Sequence, residues 1–221
     1  LYRALSILAL ESDYFQSTLY KNSLKLSRRK TGIIYYDCTN YYFEIEQAAG
    51  DKQYGYSKEN RPNPIVQMGL FMDGEGIPLA FCINPGNTNE QITLTPLEKK
   101  LLEDFSLSRF VVCTDAGLSS TSNRLFNDRD GRAFITTQSV KTLKSFQTEW
   151  LLSPEGWKRF GEPGKTYSLS DLDEETDQET VLYKERWFKE NGIEQRMIVT
   201  YSLKYRDYLR SLRQRHIDRA V

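Results

Sequence analysis

A carboxylate set in the middle of a strand-forming run limits what this chain can fold into. Ile33-Ile34-Tyr35-Tyr36-Asp37-Cys38-Thr39-Asn40-Tyr41-Tyr42-Phe43-Glu44 is apolar, aromatic or β-branched almost throughout, with Asp37 near its centre. Burying an ionised Asp in such a run is costly unless a partner or a metal compensates it. The arrangement recurs at Phe110-Val111-Val112-Cys113-Thr114-Asp115-Ala116-Gly117, where a short buried-type strand ends on an Asp and a glycine lets the chain turn. Either Asp alone reads as a strand-end cap or a solvated turn residue. Two strands that each deliver an Asp read together as a carboxylate pair for a divalent metal.

With 221 residues the chain is long enough to bury a real core. Lys+Arg 30 balances Asp+Glu 30, so no net field draws nucleic acid and any DNA contact must come from local patches. Cys38, Cys82 and Cys113 lie in apolar strand-like runs without CxxC spacing. That is the pattern of buried, reduced thiols in a cytoplasmic protein, not of a disulfide frame or a zinc site. The single histidine, His216, lies on a basic helix, which argues against mechanisms built on a His base. No apolar stretch approaches the length needed to span a membrane. The chain opens at Leu1 and closes at Val221 inside helical patterns, as a fragment would.

Residues 1–30 read as helical, with Leu1, Leu5, Ile7, Leu8, Leu10, Tyr14, Phe15 and Leu19 apolar and the basic tail from Lys21 to Lys30 as a solvated face. The first strand runs to about Glu46. A turn-rich loop over 47–64 leads to a strand over 65–72, an Asp73-Gly74-Glu75-Gly76 turn and an antiparallel return over 77–83. The turn alone accounts for Asp73. Asn84-Pro85-Gly86-Asn87-Thr88 breaks the sheet, and a helix over 95–105 follows, with Thr95 as cap, Pro96 at its first position and Glu98 as capping-box partner. A strand over 109–114, a helix starting among Ser119–Ser122 and closed by Gly131, and a strand over 133–137 come next. Helical connections imply parallel pairing with right-handed crossovers. The expected fold class is α/β: a mixed sheet with helices outside and both aspartates on central strands.

Residues 142–221 read as a β-rich insertion. Trp157 and Phe160 are taken as core aromatics among turns at Gly156, Gly161, Pro163 and Gly164. Asp171, Asp173, Glu174, Glu175, Asp177 and Glu179 lack the glycine-centred pattern of a calcium loop and read as a solvated, mobile segment. Asn191-Gly192 joins two strand-type runs as a hairpin. The helix from Leu203 to Val221 carries Lys204 and sets Arg206, Arg210 and Arg213 on one face. Such a face is either an ordinary exposed basic helix or a phosphate-contacting surface.

Tyr36-Asp37-Cys38-Thr39-Asn40-Tyr41-Tyr42-Phe43-Glu44, Asn84-Pro85-Gly86-Asn87-Thr88 and Thr114-Asp115-Ala116-Gly117-Leu118 with Asn123 resemble, in this order, motifs of the DDE transposases of bacterial insertion sequences. The element order resembles the ribonuclease H-like fold, and the resemblance spans roughly the whole chain. It implies that Asp37 and Asp115 are catalytic and bind Mg²⁺ or Mn²⁺ for DNA cutting and strand transfer. In that two-metal design one ion activates water or a 3′-hydroxyl and the other stabilises the leaving oxygen, with no need of histidine. It further implies insertion-sequence ends and target DNA as partners, a homodimer acting on two ends, and a cytoplasmic, nucleoid-associated place of work. Arg206, Arg210, Arg213 and Lys204 become candidate DNA contacts.

The family's third acid is a Glu on a helix in a Tyr-x2-Arg-x3-Glu-x6-Lys pattern. Tyr183, Arg186 and Glu190 have the spacing, but position 197 is Met197 and the Asn191-Gly192 hairpin keeps them off a helix. The match reads as a coincidence, and the chain as ending before the Glu-bearing helix. The expectation is a helical segment over 1–30, a partial ribonuclease H-like core over 31–141 and an insertion over 142–221, inactive in isolation for want of the third acid. Two alternatives stand beside it. One is an inactive remnant that only binds DNA or dimerises; the other is a ribonuclease H-like nuclease whose final acid is Glu190 or lies in the acid cluster.

Overall fold

Alternation along β1 (Ile33–Tyr42) sets up the first sheet. Ile34, Tyr36 and Cys38 are buried while Ile33, Tyr35 and Asp37 are exposed, the period of two that gives a strand two different faces. β1 pairs antiparallel with β2 (Ile65–Asp73), and β2 with β3 (Pro78–Pro85). On its other side β1 pairs parallel with β4 (Val111–Thr114), and β4 with β5 (Ala133–Thr136). The order is β3-β2-β1-β4-β5, the mixed sheet expected from the element order. This computed structural model describes residues 1–129 and 131–220. The chain divides into two compact units, Leu1–Ser139 and Val140–Val221. No helix among the described residues is long and apolar enough to cross a membrane.

One core lies under the first sheet. Ile34, Tyr36, Phe71, Leu97, Leu101 and Val112 are all buried in it, each side chain contributing about 1.5–3 kcal/mol by leaving water. α2 (Ser12–Ser23) closes it through Tyr20, whose ring lies 5.3 Å from that of Phe105, whereas α1 (Tyr2–Leu10) buries none of its residues. The helical reading of 1–30 therefore holds only as far as Ser23. Beyond it the chain leaves the helix to bring Arg29 into the protein. Arg29 is buried, its Nε 2.6 Å from Asp73 Oδ2, and its other nitrogens donate to Ser23 Oγ and to the carbonyls of Ile77 and Pro78. Arg29 is thus no part of a solvated basic face.

Asp73 likewise does more than shape a turn. Its Oδ1 accepts from the N–H groups of Glu75 and Ile77 while Oδ2 takes Arg29. Burial pushes this carboxyl up, but Arg29 and the two backbone donors outweigh it and hold it below the usual range.

The crossover helices are α3 (Leu94–Glu103) and α4 (Thr121–Asn127). The cap position of α3 is Thr93, not Thr95, and Glu98 does not reach back to close a capping box. The helix starts early enough that Glu98 falls on the face of Leu94, four residues before it, and is buried. There it accepts from Asn127 Nδ2 at 2.9 Å, with Arg132 3.7 Å away. Burial, against the pull of Asn127 and Arg132, pushes its carboxyl up to about 7. α4 ends at Asn127, before Gly131.

The second unit is an antiparallel sheet of β6 (Lys158–Arg159), β7 (Leu182–Glu190) and β8 (Ile193–Tyr201), with α5 (Ser145–Leu152) and α6 (Leu203–Ala220). The predicted end of the last helix, Val221, lies outside the described residues. Asn191 (φ 51°) and Gly192 (φ 82°) both take the left-handed backbone that a two-residue hairpin turn demands. Tyr183, Arg186 and Glu190 accordingly sit on a strand, and Glu190 pairs with Lys144. Trp157 is buried, but Phe160 is 70% exposed and stacks on Tyr183, because it lies just past the two-residue edge strand β6. The acidic segment is tied down by ion pairs: Asp177 to Arg159, Glu174 to Arg206 and Glu179 to Lys204.

Two outcomes test this packing. Asp73→Ala leaves Arg29 buried without its partner and should lower unfolding stability by about 3–5 kcal/mol in urea titration; a loss near zero would show the pair to be dispensable. Glu98 has a folded-state value of about 7 against an ordinary 4.5, so its contribution is present below pH 4.5 and is lost as pH rises through 7. Urea midpoints should fall across that window, and Glu98→Gln should flatten the slope.

Candidate metal centre on the mixed sheet

The register of β1 against β4 is Ile33 with Val111, Ile34 with Val112 and Tyr35 with Cys113. Asp37 stands two residues farther along β1, and Asp115 one residue past the end of β4. Neighbouring strands of a regular sheet run about 4.8 Å apart, and Asp115, though past the strand, is still extended at φ −81°, ψ 180°. Side chains at matched positions of a parallel pair leave the same face of the sheet. For Asp37 that face is the outer one, opposite Tyr36 and Cys38. The two residues expected to work together therefore follow closely on the last paired positions of β1 and β4.

Each also does local work. Asp37 Oδ1 accepts from the Cys38 N–H at 2.8 Å, and Asp115 Oδ1 accepts from Leu118 N–H at 3.2 Å, capping a short 3-10 turn over Ala116–Leu118. A Cβ at position 117 would lie 3.3 Å from Asp115 Oδ1, so Gly117 leaves this carboxylate its room. The strand-end cap of the plain reading holds for Asp115, whereas Asp37 lies inside β1.

Two further charged residues join Asp37 that sequence reasoning missed. Lys58 Nζ lies 3.8 Å from Asp37 Oδ1 and 4.0 Å from Glu90 Oε1, and it donates to the Cys38 carbonyl. Glu90 is held there by a buried chain of hydroxyls. Tyr36 donates to Thr93 Oγ1 at 2.7 Å, and Thr93 donates to the Glu90 carbonyl at 2.7 Å. Gly69 makes room for this chain, since a Cβ there would sit 2.1 Å from the Tyr36 hydroxyl. Burial drives the Tyr36 hydroxyl well above its ordinary range and raises the Cys38 thiol.

Asn123 braces the two turns. It is buried, and its Nδ2 donates to Leu118 O, in the turn that follows Asp115, and to Gln91 O, next to Glu90. Gly86, in the Asn84–Thr88 motif, allows a close backbone approach, for a Cβ would fall 2.1 Å from Ile65 O and 2.4 Å from Gln53 O. No signal in the sequence pointed to Lys58 or Glu90. One lies in a turn-rich loop and the other just past the sheet-breaking motif, and only strand pairing brings them to Asp37.

Among the described residues, no three His, Cys, Asp or Glu side chains converge as a metal site. The donors present are hard oxygens, and two carboxylates suit Mg²⁺ or Mn²⁺, which keep waters and accept substrate phosphate oxygens. The ammonium of Lys58 already rests near Asp37 and Glu90 and against a carbonyl.

In the second unit a cleft of about 370 Å³ is lined by Thr200, Ser202, Tyr205, Arg206, Arg210 and Arg213. Of the four candidate DNA contacts, Lys204 pairs with Glu179 at 2.7 Å, and Arg206 with Asp207 and Glu174 at 2.8 and 2.9 Å. Arg210 is 68% exposed, 3.9 Å from Asp207, and Arg213 is exposed too.

No family model matches the chain, and no curated protein does. Two solved structures share part of its shape. Against the Mos1 transposase paired-end complex with left transposon end the TM-score is 0.32 at 15% identity, over 58% of this chain and 41% of that one. Against the cryo-EM structure of the piggyBac transposase synaptic complex with hairpin DNA it is 0.40 at 11% identity, over 76% and 33%. The chain spans less than half the length of either, and likeness at this level carries no argument about fold or activity.

Asn123→Ala removes a donor from two carbonyls at once. It should lower stability by about 1–3 kcal/mol in urea titration, and an unchanged midpoint would show that the brace bears no load.

Proposed function

We propose that this chain is the catalytic core of a DDE-type DNA transposase with a ribonuclease H-like sheet, built to cut insertion-sequence ends and join them to target DNA. The observation that supports the reading is the parallel register of β1 and β4, whose last pair, Tyr35–Cys113, stands two residues before both Asp37 and Asp115. Element order, and the motifs around both aspartates, support it. In this reading Asp37 and Asp115 hold Mg²⁺ or Mn²⁺ through their carboxylates. When bound, the metal would supply Lewis-acid stabilisation of an in-line phosphoryl displacement. Asn123 keeps the turns beside Asp115 and Glu90 in place, and the Tyr36–Thr93 pair fixes the backbone at Glu90. Arg210 and Arg213 are the side chains best placed to meet DNA phosphates, since Lys204 and Arg206 already have acid partners. A homodimer, one copy per DNA end, is the assembly that the family resemblance implies. Two carboxylates alone hold a metal pair weakly, so strand transfer by the isolated chain should be slight or nil.

The exposure of Arg210 and Arg213 favours one other reading, a remnant that binds DNA without chemistry. The two separate in a melting experiment. A metal that binds only the folded chain raises the melting temperature, by the equivalent of about 2.7 kcal/mol at a hundredfold excess over Kd. Saturating Mg²⁺ should therefore raise the wild-type Tm, and Asp37→Asn or Asp115→Asn should remove the rise. A rise that survives the double substitution sinks the metal assignment. Duplex binding lost on Arg210→Ala with Arg213→Ala, with no Mg²⁺ response at all, is the mark of the remnant.

A further inference from the structure

Lys58 occupies an unusual place for a loop lysine. Its ammonium lies within 4.0 Å of oxygens from both Asp37 and Glu90 while donating to the carbonyl of Cys38, the residue after Asp37. Its loop is fastened to the same strand. Asn40 Oδ1 accepts from the Lys58 N–H at 3.4 Å, Asn40 Nδ2 donates to Tyr56 O at 3.3 Å, and buried Ser57 accepts from the Arg61 N–H. Glu90 is fixed from its other side by the Tyr36–Thr93 hydroxyl chain. Lys58 is therefore delivered to Asp37 by two anchored segments.

We propose that Lys58 is a resident counter-cation of Asp37, held by Glu90, which must give way before a divalent metal ion can bind there and which thereby sets the metal affinity of the centre. The inference rests on the reading of Asp37 as a metal ligand. An ammonium and a divalent ion cannot both sit against one carboxylate oxygen without mutual repulsion, and at separations near 4 Å that repulsion persists, though modest, in a solvent-rich setting. Glu90 offers the displaced ammonium a carboxylate to keep, so the exchange leaves no charge stranded. Lys58 is a positioning residue in this scheme. It restrains loading of the metal site until a ligand with enough positive charge arrives.

The test uses Mn²⁺ alone, with the free ion counted by its electron paramagnetic resonance signal, on the full chain and its Lys58→Met and Asp37→Asn variants. Lys58→Met should bind Mn²⁺ about tenfold more tightly than wild type, the gain expected on removing one repelling unit charge beside the ligand in a high-dielectric setting. Asp37→Asn should abolish that binding. Lys58→Gln, which keeps a polar side chain but not the charge, should behave as Lys58→Met does and serves if the methionine variant fails to fold. Equal or weaker binding in both charge-free variants, with binding still dependent on Asp37, overturns the role of Lys58 and leaves the metal assignment standing. Absence of Asp37-dependent binding in wild type and in both Lys58 variants overturns the two together.

Discussion

The pairing of β1 with β4 is the constraint on which the rest of this molecule depends. Side chains of a strand alternate between faces, so a slip of one residue would send Asp37 into the core and Tyr36 out of it. The register is held from beneath. Ile34, Tyr36, Phe71 and Val112 pack into a single cluster, and none of them can change faces without opening a cavity or exposing a ring. The apolar side of the sheet thereby fixes the position of the charged side. Asp37 can stay on an aromatic strand because its own side is open to water, where its carboxylate needs no buried partner.

Buried polar contacts then hold the segments that flank the sheet. Arg29 with Asp73 locks the connection from α2 to the β2–β3 hairpin, and Asn123 and the Tyr36–Thr93 pair tie down the turns at the carboxylate edge. Such contacts contribute little net energy when made and cost a good deal when half broken. Their effect is to allow one arrangement of the loops. Pre-set loops matter at an edge whose two carboxylates are both exposed, since packing does not hold those side chains in place.

The second unit shows why net charge is a poor guide to contact with nucleic acid. Basic and acidic residues balance over the chain, and in this unit they meet in pairs: Arg159 with Asp177, Lys204 with Glu179, Arg206 with Glu174 and Asp207. The acidic segment is what neutralises the start of the basic helix. A helix whose sequence is mainly basic is in space free of close acid partners mainly from Arg210 onward.

What the sequence determined by itself was whatever follows from local period and turn chemistry. The strands, the two crossover helices, the Asn191-Gly192 hairpin and the central place of the two aspartate-bearing strands follow from alternation, apolar run length and glycine or asparagine at left-handed positions. The spacing of Tyr183, Arg186 and Glu190 could be set aside for the same reason. What only the tertiary structure decided were contacts between segments far apart in the chain. Glu98 looked like a capping residue and is a buried acid, because its helix begins earlier than its cap signals suggest and turns it toward Asn127 and Arg132. Arg29 looked solvated and is buried, because its partner lies on a hairpin formed later in the chain. Lys58 and Glu90 carried no signal at all. Their nearness to Asp37 comes from strand register and a buried hydroxyl chain, and long-range pairing of that kind leaves no period in the sequence to read.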